Sequence, residues 1–141
     1  MANTVMTSFK SQLMEGTHDL ATSGDTFKLA LYTSSSSINS AATTIYTTSD
    51  EVGNSGTYAA GGGTLAGQTV GTSGTTATCD FTDLEFTSAT INARYALIYL
   101  DGTPTKAVCI LDFSTDQIST AGTFKIDFPV SGASTSIIRV A

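Results

Sequence analysis

The stretch NARYALIYLDGTPTKAVCILDF, residues 92–113, places two dense apolar runs on either side of a turn. Within it YALIYL, residues 95–100, is apolar on both of its alternating faces, the pattern of a central strand covered twice. Asp101-Gly102-Thr103-Pro104 is a hairpin turn signal. Residues 106–113 then return as the partner strand. A two-stranded core of this kind needs further strands beside it and layers above and below.

Working outward, residues 123–128 alternate Phe124, Ile126 and Phe128 against Lys125 and Asp127, a half-buried strand. Residues 84–87 read as a short strand, and residues 75–81 set Thr75, Ala77, Cys79 and Phe81 on one face. FKLALY (Phe27–Tyr32) alternates Phe27, Leu29 and Leu31 against Lys28, Ala30 and Tyr32. Residues 64–70 follow the glycine-rich patch 58–63 and read as an edge or bulged strand, because glycine weakens pairing. Residues 137–140 close the chain as a last strand. About eight short strands with turn signals between them predict a two-sheet sandwich or jelly roll, not a βαβ fold.

The one helical signal is N-terminal. Val5, Phe9 and Leu13 recur at i, i+4 and i+8, with Gly16 placed as a C-cap. This predicts an amphipathic arm over residues 1–22, either folded on the sheet or reaching to a neighbour, and one β-sandwich domain over 23–141. Residues 33–48 read as a long Ser/Thr-rich loop with isolated anchors Ile38, Ile45 and Tyr46, and residues 49–52 as one helical turn opened by Ser49.

Composition narrows the function. Only 13% of residues are charged, about half the usual share, and 26 Thr and 17 Ser fill the space. The net charge is −6 with six scattered cations, so no basic patch exists to neutralise phosphates and nucleic acid is not an expected partner. No run approaches the ~20 apolar residues of a membrane span, and residues 1–14 lack the pattern of an export signal. A surface poor in charge has little protection against association, which fits a protein that works covered by partners.

Catalysis needs titratable groups in convergent sets, and few are present. His18 is the single histidine and reads as a turn residue satisfied by backbone or water. Cys79 and Cys109 lie 30 apart in strand-like runs and read as buried thiols acting as small hydrophobes, with a disulfide between neighbouring strands as the alternative. Asp80, Asp83 and Glu85 flank a turn and read as solvated carboxylates; their spacing is not that of an EF-hand. Gly61-Gly62-Gly63 lacks the Lys-Ser/Thr sequel of a phosphate loop. No enzyme, cofactor or metal site is expected. Arg94 is the charge to follow: turned inward it needs a carboxylate, and Asp112 on the returning strand is the candidate. The alternative is an interface arginine.

Taken in order, SFKSQLMEGTHDLATSGDTFKLALYTSS, EVGNSGTYAAGGGTLAG, NARYALIYLDG, AVCILDFSTDQISTAGTFKIDFP and the terminal IIRVA resemble the capsid cement or decoration proteins of tailed bacteriophages with an HK97-like major capsid protein. The resemblance covers nearly the whole chain. It implies a jelly-roll-like β fold, dimers or trimers on the outer capsid surface of a virion made in the host cytoplasm, the major capsid protein as partner, and reinforcement against packaged DNA. It implies no catalytic residues. An acidic protein suits the outside of such a shell, away from DNA. The alternative function is a tail or fibre accessory β-module that binds host glycans in a pocket with aromatic walls. Expected contact residues are Val5, Phe9 and Leu13 of the arm, the loop anchors Ile38, Ile45 and Tyr46, and Tyr58. Removing residues 2–15 is expected to weaken shell binding and leave a folded domain.

Overall fold

A computed structural model describes residues 3–141. Its elements in chain order are β1 (Thr4–Val5), α1 (Thr7–Met14), β2 (Phe27–Tyr32), β3 (Gly63–Thr64), β4 (Thr69–Ser73), β5 (Thr76–Asp80), β6 (Leu84–Leu100), β7 (Lys106–Ile126) and β8 (Ile138–Val140). Two antiparallel sheets result, one ordered β1-β7-β6-β2-β3 and the other β4-β5-β8. The chain changes sheet after β3, β5 and β7, the sheet-switching of a jelly-roll-like sandwich. The protein is an all-β sandwich with one short N-terminal helix.

The apolar hairpin sits where its sequence requires. β6 lies between β7 and β2, and Tyr95, Ala96, Leu97, Ile98, Tyr99 and Leu100 are all buried. Leu29 pairs with Ile98 and Leu31 with Ala96, so Phe27, Leu29 and Leu31 share a face that meets the smaller sheet. There the Phe27 and Phe81 rings pack edge to face at 6.2 Å, and Cys79, Phe81 and Ile138 join one core with Ile98 and Ile110. Each such side chain, fully buried, contributes about 1.5–3 kcal/mol.

The second face of the large sheet is covered by the chain's own long loop. Residues 33–62 bring buried Ile38, Val52 and Tyr58 to it. That cover explains why β2 is more than half-buried: Ala30 and Tyr32, on the face opposite Leu29, are as inaccessible as Leu29 itself. The loop needs glycine at one point. Gly62 has φ +80°, and a Cβ there would stand 1.8 Å from the Leu29 carbonyl oxygen.

Several elements differ from the sequence reading, each for a local reason. Residues 64–70 are not one strand; Gly67, at φ +63°, separates β3 from β4, which belong to different sheets. The short strands at 84–87 and 92–101 fuse into β6, and those at 106–113 and 123–128 into β7. The Thr/Ser stretches between them pair with register shifts between Phe86 and Ala89, between Ala89 and Ile91, and between Ala93 and Tyr95. Side chains help: Ser119 Oγ donates to the Ala89 carbonyl at 2.8 Å and the Ala121 N–H to Thr90 Oγ1 at 3.0 Å. Residues 49–52 form no helical turn. Asp50 adopts φ +60°, Glu51 bridges to Tyr32, and the Val52 N–H donates to the Leu31 carbonyl.

At the N-terminus, Val5 belongs to β1 and pairs with Cys109, so the helix begins two residues later than the i, i+4 pattern implies. Its N-cap is Met6, without a side-chain hydrogen bond, and Gly16 follows the C-cap Glu15 at φ +73°. The arm is folded on the sheet. Met6 and Phe9 are 0% and 1% exposed, inside the same core as the strands.

Candidate docking surface

Among the described residues the small sheet has three strands, β4, β5 and β8. In register, Val70 faces Cys79 and Cys79 faces Ile138, while Ala77 faces Val140. Since alternate residues share a face, Val70, Ala77, Cys79, Ile138 and Val140 form one apolar ledge. Its inner part is buried at Cys79 and Ile138; its outer part is open, with Val70 54% and Val140 53% exposed. Helix α1 ends above this ledge and presents Leu13 and Met14, the latter 91% exposed.

Between α1, β1 and β8 lies a cleft of about 700 Å³ whose apolar walls include Val5, Phe9, Leu13, Met14, Ile138 and Val140. A hollow of about 240 Å³ continues it past Leu13 to Leu20, Val70 and Ala77. Three of the six most exposed large apolar side chains among the described residues, Met14, Val70 and Val140, rim this one feature. Clustered rather than scattered apolar exposure is the mark of an interaction surface.

The opposite side of the molecule is closed by polar stitching. Glu51 accepts from Tyr58 Oη at 2.8 Å and the Gly61 N–H at 2.7 Å on one oxygen, and from Tyr46 Oη at 2.5 Å on the other. Tyr58 Oη in turn accepts from the Leu31 N–H at 2.9 Å. Tyr99 donates to the Gly61 carbonyl and Tyr32 to the Thr47 carbonyl, both at 2.6 Å. The Tyr46 and Tyr99 rings stack at 4.8 Å. Burial first, with the Glu51 charge nearby, pushes the phenols upward, Tyr99 to about 12 and Tyr32, Tyr46 and Tyr58 further. This cluster fastens the loop 33–62 to β2 and β6.

Arg94 and Asp112 meet where the long hairpin changes register. Between the pairs Ala93–Gln117 and Tyr95–Asp112, one residue of β6 opposes four of β7, and Ser114 in the bulge has φ +68°. Arg94 Nε donates to Asp112 Oδ1 at 2.8 Å, and the Ser114 N–H donates to the same oxygen at 2.8 Å. The Arg94 hydrogen bond is the main reason the Asp112 carboxyl is held well below the usual carboxylate range. The Asp112 N–H also donates to Asn3 Oδ1 at 3.0 Å. The pair braces the bulge and ties β1 to it.

His18 and the two cysteines are packed into the frame. His18 lies between the Phe9 and Phe27 rings, with Nε2 2.7 Å from Gln12 Oε1; desolvation lowers its basicity. Cys79 and Cys109 are free and buried, their thiols pushed up to about 11 and about 12 by burial. Among the described residues no three His, Cys, Asp or Glu side chains gather as metal ligands. No helix there is long and apolar enough to cross a membrane.

The structure divides the expected contact residues. Val5 and Leu13 line the cleft, and Ile45 is 51% exposed on the loop. Phe9, Ile38 and Tyr58 are at most 3% exposed, so they act as core side chains: Phe9 under α1, Ile38 and Tyr58 beneath the loop. Tyr46 is occupied by Glu51 and Tyr99. Met14, Val70, Val140 and the cleft cations Lys10 and Arg139 escaped the sequence reading; Val140 had a signal in the alternation of the last strand, the others none. Compared with protein-family models, curated protein sequences and solved structures, the chain matches none.

Proposed function

We propose that this chain is a phage virion structural protein, a cement or decoration protein that docks on the outer surface of the major capsid protein shell and stabilises it against DNA pressure. The observation that carries the reading is the open apolar cleft between α1 and β8 on an acidic, Thr/Ser-rich body. Such a body offers an apolar anchor with a neutral, hydrogen-bonding surround, the composition of a wet interface with an apolar centre. A ligand that binds only the assembled shell stabilises it by mass action, and repetition over the shell multiplies a modest contact. A dimer or trimer of the chain would raise the effective concentration of each contact.

A density map of the virion tests the reading. The expected result is this sandwich in many copies on the outer capsid surface, cleft towards the shell; copies confined to the tail tip would overturn it. One observation favours the tail or fibre alternative, a module binding host glycans. A groove of about 550 Å³ under the long hairpin has Phe113, Phe124 and Phe128 in its walls, with Gln117, Lys125 and Asp127 beside them. Saturable binding of oligosaccharides by the isolated protein, lost in Phe128→Ala, would move the assignment there.

A further inference from the structure

The cleft differs from the rest of the molecule in charge as well as polarity. The chain carries −6 overall, yet among the described residues the charged side chains lining the cleft are Lys10 and Arg139 alone. Of the four other cations three are matched: Lys28 with Asp101 at 3.6 Å, Arg94 with Asp112 at 2.8 Å, and Lys125 with Asp127 at 2.6 Å and Asp83 at 3.4 Å; Lys106, outside the cleft, is the fourth. Among the described residues Lys10 and Arg139 have no carboxylate within ion-pair distance, and Arg139 makes only a 3.4 Å contact to the Ala133 carbonyl. Two unmatched cations flanking apolar walls, on a protein with twice as many acids as bases, call for carboxylates from outside.

The cleft also presents backbone. Ile138, Arg139, Val140 and Ala141 all line it consecutively. A strand showing a face exposes alternate residues, so this run turns its edge to the cleft. Among the described residues β8 has β5 as its one neighbour in its sheet, which leaves the other edge as a template for an added strand.

We propose that the cleft accepts an extended, acidic-apolar segment of the partner, laid along the open edge of β8, with alternate apolar side chains against Val5, Leu13 and Met14 and carboxylates reaching Lys10 and Arg139. The inference rests on the docking function for the identity of the partner, the shell subunit, but not for the chemistry of the segment. Opposite charge at the rim steers the encounter and fixes register, and the apolar walls hold the complex.

Two measurements test it. In the first, shells of the major capsid protein stripped of this protein are sedimented with wild type, with Lys10→Glu/Arg139→Glu, and with Lys28→Glu/Lys125→Glu as a charge-matched control. Affinity is expected to fall about tenfold or more in the cleft variant only, with a weaker salt dependence; equal losses in both double variants would overturn the cleft assignment. In the second, a short peptide alternating valine and glutamate is titrated into the wild-type protein, followed by amide shifts. Saturable shifts at Leu13 and Ile138–Val140, absent with a valine-lysine peptide, are expected, and their absence overturns the inference. Peptide binding without shell binding would leave the cleft chemistry standing and remove the capsid function. Shell binding untouched by the cleft variant would do the reverse.

Discussion

The sandwich has two apolar surfaces outside its central core, and the chain treats them oppositely. Over β2 and β6 it lays residues 33–62 and fastens them with Glu51 and four tyrosines. Between α1 and β8 it leaves Met14, Val70 and Val140 open beside two cations without carboxylates. A surface covered from within belongs to stability, since opening it uncovers sheet and breaks buried hydrogen bonds. A surface left open costs the isolated protein solubility and is retained only where something else covers it. Mutations on the two sides are therefore expected to separate: folding on one, association on the other.

The largest effect is expected from Tyr58→Ala. The ring is 1% exposed, packs edge to face on Phe86 at 4.8 Å, and holds both Glu51 and the Leu31 N–H. Truncating a buried aromatic costs about 3–5 kcal/mol, so denaturant unfolding should show a large drop in midpoint. Gly62→Ala is expected to follow, because its Cβ would meet the Leu29 carbonyl at 1.8 Å and the loop must move away from the sheet. A Gly62→Ala protein with a wild-type melting curve would break the view that the loop is held in this one position. Tyr58→Phe keeps the ring and removes the hydroxyl. Leaving the Leu31 N–H and Glu51 without that partner is expected to cost roughly 1–3 kcal/mol.

The tyrosine cluster also sets an alkaline limit. Tyr99 is pushed up to about 12 and its three neighbours further, against about 10 in an unfolded chain. Above pH 10 the unfolded state loses phenolic protons that the folded state keeps, so stability must fall as pH rises from about 10 to 12. In acid the sign reverses at Asp112, whose carboxyl is lowered. Its contribution is complete above the ordinary carboxylate value, near pH 3.9, and is lost as pH falls below it. Thermal melts across both ranges should show two shoulders, the acid one missing in Asp112→Asn.

The contrast between the two surfaces also explains what the sequence could show. Residues 92–113 were legible because their apolar runs are continuous, and FKLALY because it alternates. The Arg94–Asp112 contact follows from strand adjacency and from the cost of an inward-facing charge. What was hidden depends on tertiary neighbours. Ile38 and Tyr58 look like isolated apolar residues in a polar loop, and nothing local says that a sheet lies beneath them. The pairing of residues 89–93 with 117–122 joins Thr- and Ser-rich stretches of β6 and β7 in which the apolar alternation of residues 123–128 does not continue. Val70 and Val140 sit 70 residues apart in sequence and share a ledge only through β5 between them.

The smallest effect on folding, and the sharpest on function, is expected from Val70→Ser/Val140→Ser. Both side chains are more than half exposed in the free protein, so their removal is expected to change stability by no more than about 0.5 kcal/mol each. Neither substitution adds charge, which separates the apolar contribution of the cleft from that of Lys10 and Arg139. If the open ledge is where the partner sits, both positions are buried in the complex and shell affinity falls while the melting temperature stays. If shell affinity also stays, the ledge is exposed in the complex and the asymmetry between the two surfaces has no functional meaning. The measurement pairs one melting curve with one sedimentation isotherm, and only their divergence supports the docking role.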